Sequence, residues 1–207
     1  MRATSLAVLS GVLVLGTLPA EEAGQTVYAV EGGKRATVTV RSVTDLEDIV
    51  TTTNAVAGAI ACDRAKGTGS VSLVVQAASL DTGIPMRNEH LRGEKWLDTA
   101  KFPEIIFKST SVKHLQGDEY EIAGEFTMRG VTRPVTARAV VRFLDDEKAV
   151  KVLGGRAVKA TADFSIKLTD FGIAAESLGL KVSDKLDISL SVYGVDKPPA
   201  KANEPKK

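Results

Sequence analysis

The sequence predicts an all-β fold: an antiparallel eight-stranded β-barrel with a short helix between two of its strands. Three observations carry this. Apolar and polar residues alternate strictly along four long runs, the period of a strand with one buried face. About eight alternating segments follow one another, most joined by turns that contain Gly or Asp. The apolar faces are built from Ala, Val, Gly, Ile and Leu, with only six Phe, three Tyr and one Trp in the whole chain. One-faced strands need either two packed sheets or a closed barrel to bury that face. Small inward side chains fill a barrel poorly, which favours a barrel with a lumen over a packed sandwich.

Along the chain, residues 1–20 read first as a signal peptide. Arg2 is followed by the apolar run Leu6–Gly16, and Thr17-Leu18-Pro19-Ala20 stands before the acidic pair Glu21-Glu22. The run is too short to span a bilayer, which disfavours an uncleaved anchor, and no Cys near the cut offers a site for lipid. Cleavage near Ala20 implies a periplasmic or secreted protein. The domain proper is bounded as 27–195.

Short alternating segments occupy Thr37–Arg41, Ala55–Ala61 and Val71–Leu80. Met86–Leu97 breaks the pattern, with mixed charges and with Leu91, Trp96 and Leu97 at near-helical spacing. It is predicted as a short helix, weakened in its middle by Gly93, of the kind that plugs or lids one barrel mouth. Phe102-Pro103 ends it and starts a strand over Ile105–Ser111. In the long runs that follow, Tyr120, Ile122, Gly124, Phe126 and Met128 share a face, as do Val135, Ala137, Ala139, Val141 and Phe143. Val158, Ala160, Ala162, Phe164, Ile166 and Leu168 share another, and Leu186, Ile188, Leu190 and Val192 the last. Gly117-Asp118 and Asp145-Asp146 mark turns, and Phe171-Gly172 reads as a turn whose aromatic folds back onto the barrel. Residues 196–207, with three Pro among Lys and Ala, read as a disordered tail.

Charge and composition exclude several classes. The formal net charge is +1, and removing Arg2 and the Lys-rich tail leaves the folded part near −2. That is no footprint for nucleic acid and no strong pull toward an anionic membrane. No later segment is long and apolar enough to act as an integral membrane anchor. Cys62 is the only cysteine. It cannot form an intrachain disulfide, reads as a small buried hydrophobe, and leaves a homodimer open through interchain pairing. His90 and His114 sit outside any metal-ligand spacing, and no metal or cofactor is expected.

One ordered series of motifs narrows the reading further. Ser79-Leu80-Asp81-Thr82-Gly83 leads into Met86–Arg92, Trp96-Leu97-Asp98 and Phe102–Phe107. Gly124–Val135, Asp170-Phe171-Gly172 and Val182-Ser183-Asp184 follow in turn. From about Val27 to Val195 this series resembles the YceI-like family. The resemblance implies a lipocalin-like antiparallel barrel in the periplasm, with a polyisoprenoid or related long-chain amphiphile as its partner, held in an elongated tunnel. Two positions depart from the family's pattern: Ser42 stands where an early strand carries His, and Leu168 where an Arg precedes Asp-Phe-Gly. Both changes make the lumen or its mouth more apolar.

The candidate ligand-binding residues are Met86, His90, Trp96 and Leu97 at the helix-side mouth. Ile105, Phe107, Ile122, Phe126, Phe164, Ile166 and Leu168 are their counterparts in the lumen. Burial of an apolar chain there yields about 0.8 kcal/mol per methylene. Arg87, His90 and Arg92 either meet a polar head group or serve the fold by capping strand ends and pairing with Glu89 or Glu94, the second being favoured. Two other functions compete. Asp81-Thr82-Gly83 matches the triplet of aspartic proteases, whose paired carboxylates share a proton, yet only one copy is present, so a homodimer would have to supply the second. A filled barrel acting as a stress-response interaction module is the other alternative.

Overall fold

Alternation with the strand period is realised in ten strand segments, seen in a computed structural model that describes residues 25–33, 35–173 and 178–196. The expected signal peptide, and all of the expected tail beyond Asp196, lie outside the described residues. The elements are β1 (Thr26–Val30), β2 (Thr37–Val43), β3 (Asp48–Thr53), β4 (Val56–Asp63) and β5 (Thr68–Gln76). After α1 (Pro85–Arg92) come β6 (Glu104–His114), β7 (Glu119–Met128) and β8 (Val131–Leu144). Finally α2 (Glu147–Leu153) precedes β9 (Ala157–Lys167) and β10 (Lys185–Val195).

Every neighbouring pair of strands is antiparallel, and β10 closes the ring. Its first half pairs with β2, from Leu186 opposite Ser42 to Ser191 opposite Thr37, and its end pairs with β1. β1 pairs with β4, and β2 with β3. Ten segments therefore make an eight-stranded closed barrel, because β1 with β2 and β3 with β4 each fill one position in the wall. The two breaks lie side by side and share Asn54, whose Nδ2 donates to Ala36 O (2.6 Å) and whose carbonyl accepts from Gly33 N (2.9 Å). Closure settles the choice between barrel and sandwich.

The predicted faces point as the alternation implies. Even-numbered residues of β7, β9 and β10, and odd-numbered residues of β8, face the interior. In β6 a bulge between Ser109 and Ser111 reverses the parity, so Phe107 above it and Val112 below it both point inward. The freed Ser109 hydroxyl accepts a hydrogen bond from Val71 N (2.8 Å). Phe171 is buried and meets Phe126 edge-on at 5.7 Å, folding the turn back as expected.

Two local expectations change. The helix is shorter than Met86–Leu97: Gly93 caps it in an extended conformation instead of sitting inside it, and Trp96 and Leu97 follow in a turn. Asp145-Asp146 is more than a turn. Asp146 caps α2 by accepting from Ala149 N (2.9 Å), and Gly154 ends it in the left-handed region.

Gly124 is where wall and interior meet most closely. A Cβ there would lie 2.5 Å from Lys108 O and 2.6 Å from the Phe107 ring, so the missing side chain is what lets Phe107 lie across β7. Gly124→Ala should lower stability by about 1–3 kcal/mol, the range for overpacking, read as a fall in the urea midpoint. Trimming Phe107 to Leu in the same chain should restore only part of the loss, since the clash with Lys108 O is with backbone.

Candidate functional site

The inward faces enclose a cavity of about 460 Å³, within the range of sites that bury a small organic ligand. Its wall is apolar along the barrel. Leu73 and Val75 come from β5, Ile105 and Phe107 from β6, and Ile122, Phe126 and Met128 from β7. Next round the wall stands a stretch of small side chains, Ala137 and Ala139 on β8 with Ala160 and Ala162 on β9, which gives the bore its width. Phe164 and Ile166 continue β9 towards α1, with Phe164 edge-on to Phe126 at 5.7 Å.

Polar groups collect at the two ends. At the α1 end, Arg87 donates to Glu47 in the β2–β3 turn (2.7 Å), and Thr82, His90 and Lys181 complete the rim. Ser42 is buried just inside, where its hydroxyl accepts from Ser183 N (2.8 Å). The Ser at this position thus ties β2 to the loop before β10, whereas Leu168 presents a plain apolar surface to the cavity. Arg92 Nε donates to Ala78 O (2.9 Å), so the partners of Arg87 and Arg92 are Glu47 and a backbone carbonyl, where Glu89 or Glu94 was expected.

At the opposite end, the β4–β5 turn brings Asp63 and Arg64 to the lining. Asp63 accepts from Lys66 Nζ (3.0 Å) and from the amides of Lys66 and Ala65, and these donors, Lys66 foremost, hold its carboxyl below the usual range. Cys62 lines the wall beside them, and burial pushes its thiol up to about 11, so it is a protonated, weakly nucleophilic group at neutral pH.

Ten of the eleven candidate residues line this cavity: His90, Trp96, Leu97, Ile105, Phe107, Ile122, Phe126, Phe164, Ile166 and Leu168. Met86 does not. It lies in the first turn of α1, 68% exposed, because Arg87 and Leu91 occupy the helix face turned to the barrel. Glu47, Arg64 and the four alanines were not among the candidates, although the alternation had already placed those alanines on inward faces. Arg129 was missed too: its guanidinium donates to Gly172 O (2.7 Å) and Glu94 O (2.9 Å), tying the β7–β8 hairpin to the roof of the barrel.

Asp81 has the geometry of a turn residue. Its carboxylate accepts from Asn88 Nδ2 (2.6 Å) and Gly83 N (2.8 Å), and its backbone bridges to Thr52 of β3. Asn88, buried in α1, uses its own carbonyl to accept from Thr82 N and Thr82 Oγ1 (2.8 Å each). The Asn88 amide, followed by the Gly83 amide, holds the Asp81 carboxyl below its ordinary value. A protease dyad needs the reverse, one carboxyl raised so that a proton is shared.

Comparison with known proteins agrees with this architecture. The family model of the YceI-like domain matches residues 28–193. Protein YceI of Escherichia coli O157:H7 is 40% identical over 125 residues, covering 60% of this chain and 62% of that protein. Protein YceI of Salmonella arizonae is 39% identical over the same shares. The match thus spans less than two thirds of the length of these curated relatives. Among solved structures, Burkholderia cenocepacia BcnA superposes with a TM-score of 0.66 at 20% identity, covering 76% of this chain and 95% of that one. A polyisoprenoid binding domain from Saccharophagus degradans, implicated in plant cell wall breakdown, gives 0.60 at 14% identity, covering 83% and 99%.

The Asp81 network carries a pH prediction. A group with a depressed folded pKa stabilises fully above its unfolded value, about 3.9 for Asp, and loses that contribution as pH falls through the folded value. Asp81→Asn should therefore melt below the wild type at neutral pH. The two melting temperatures should converge under strongly acidic conditions in thermal scans across that interval.

Proposed function

The chain belongs to the YceI-like domain family, and from that premise and the shape of its interior we propose that it is a periplasmic carrier of a long apolar molecule of isoprenoid or lipid type. The apolar bore is the observation that carries this reading. Along it the wall is hydrocarbon, so a water-insoluble chain gains about 0.8 kcal/mol for each methylene removed from water. A dozen methylenes gain roughly 10 kcal/mol before the cost of ordering the chain. One structural relative is a polyisoprenoid-binding domain, and a chain of that chemistry suits this bore.

The ligand's polar end lies at the α1 mouth, where Thr82, His90 and Lys181 stand beside the Arg87–Glu47 pair. Export to the periplasm rests on the charged, apolar and small-residue sequence of residues 1–20. Binding without catalysis is supported by the ends of the bore. Asp81 is engaged in its turn, Cys62 is held as a thiol, and His90 and His114 lie at opposite ends, the latter bonded to Gly117 O at 2.9 Å.

Two kinds of variant test the carrier. Ala139→Phe and Ala162→Phe add ring volume to the bore without charge. Because they grow into open space, stability should change by about 1 kcal/mol or less, below the usual cost of overpacking. Native mass spectrometry of the mature protein, followed by organic extraction, should show co-purifying lipid reduced about tenfold, equivalent to the loss of roughly 1.4 kcal/mol of affinity. Phe126→Glu should abolish retention and also destabilise, since an unpaired buried charge costs several kcal/mol. If the folded alanine variants carry the same lipid at the wild-type level, the bore is not the binding site.

A further inference from the structure

Around the wall the strands follow the order β1, β4, β5, β6, β7, β8, β9, β10. The β4–β5 turn and the β8–β9 connection are therefore half a circumference apart, at the end of the barrel away from α1. Their side chains nevertheless meet. Arg64, the first residue after β4, is paired with Asp145, the first after β8, across 81 positions of sequence. The Arg64 guanidinium also lies over the Phe143 ring, 4.2 Å from its centre, and Phe143 packs against the buried Tyr28 at 6.2 Å. Other ion pairs at this end behave differently. Arg142–Asp118 and Arg156–Asp196 link neighbouring parts of the rim, and Lys66–Asp63 stays within one turn. Arg64–Asp145 alone among the described ion pairs crosses the floor.

Arg64 and Phe143 both line the cavity, so the bridge lies where a chain threading the bore from α1 would emerge. A hydrocarbon tail arriving there meets a guanidinium and a carboxylate. Both groups are partly open to solvent, 52% and 34% exposed, so a tail passing between them would strip water from each charge as well as part the pair, which opposes further entry. The α1 mouth carries its polar groups on the rim, where a head group can remain hydrated.

We propose that the Arg64–Asp145 bridge over Phe143 is the closed end of the tunnel, a stop that sets the longest chain the barrel accepts. This rests on the carrier reading and assigns residues to its length specificity.

The test uses the mature full chain and a homologous series of all-trans prenyl alcohols of increasing length, with binding read by native mass spectrometry. Wild-type affinity should rise with each isoprene unit and then fall about tenfold past a limiting length. Arg64→Gln and Asp145→Asn, checked for folding by thermal melting, should each move that limit up by at least one unit. The charge-swapped double variant Arg64→Asp with Asp145→Arg should bring it back. An identical limit in all four proteins overturns the stop.

If the wild type binds no alcohol of the series, the carrier reading fails, and the floor is judged separately. Cys62 lines the bore two residues before Arg64 and reports on access from below. At alkaline pH, labelling of ligand-free protein by a polymer-linked maleimide too large to thread the bore should speed up about tenfold in the single variants. Equal rates in wild type and variants overturn the closed floor.

Discussion

The interior of this protein depends on one strand. β10 pairs with β9 over its whole length while its other edge is divided between β2 and β1. With that edge taken, the sheet has no free ladder at this seam, and the wall is held by main-chain hydrogen bonds running round a circle. A sandwich keeps its sheets together only by filling the space between them. A closed barrel has no such requirement. This freedom permits alanine at four neighbouring wall positions on β8 and β9, which an open two-sheet core of this size would have had to fill.

Closure also sorts polar from apolar groups. Strand interiors contribute alternate side chains of fixed direction, so the bore repeats whatever occupies the inward face. The turns and caps, where Asp, Arg, Asn and Gly are needed for backbone reasons, fall at the two ends. Asp63 and Asp81 serve this purpose, each holding turn amides with its carboxylate. Local turn chemistry thus leaves an apolar bore with two polar ends, and the asymmetry between the ends comes from what the loops add. One end receives a helix and a rim of polar groups. The other receives Arg64 and Asp145 from opposite sides.

Much of this was legible because a period of two is unambiguous over ten residues. β7, β8, β9 and β10 were read with the correct faces, and those faces become the cavity wall. Legibility fails where the signal is short or nonlocal. β3 carries only Ile49 and Val50 among Thr residues, and β1 is five residues long, so neither shows enough alternation to count. The bulge at Ser109–Ser111 leaves no mark in composition. In α1, two turns offer too little to choose a face, so the sequence does not separate Met86 from the residues that line the mouth. The Arg64–Asp145 and Arg129–Gly172 contacts join residues 81 and 43 apart, and nothing near either residue announces its partner. Ser42 shows a subtler limit. Against the family's pattern it stands where His is expected, a loss of polarity, yet its hydroxyl is in use, bonded to the Ser183 amide.

A bore built this way is a core with its centre left out. Lining side chains of such a bore have no protein atoms packed against them on one side, so protein–protein dispersion contacts are forgone along the wall. An apolar chain entering the bore supplies those contacts and removes its own surface from water in the same step. Folding and binding are linked for any such ligand: whatever binds only the folded barrel stabilises it in proportion to the logarithm of its concentration over its dissociation constant. The same linkage explains why the polar devices sit at the rims. A buried charge in the bore would be an unpaired group in both states, opposing occupancy and fold together, whereas at the mouths a charge keeps contact with solvent.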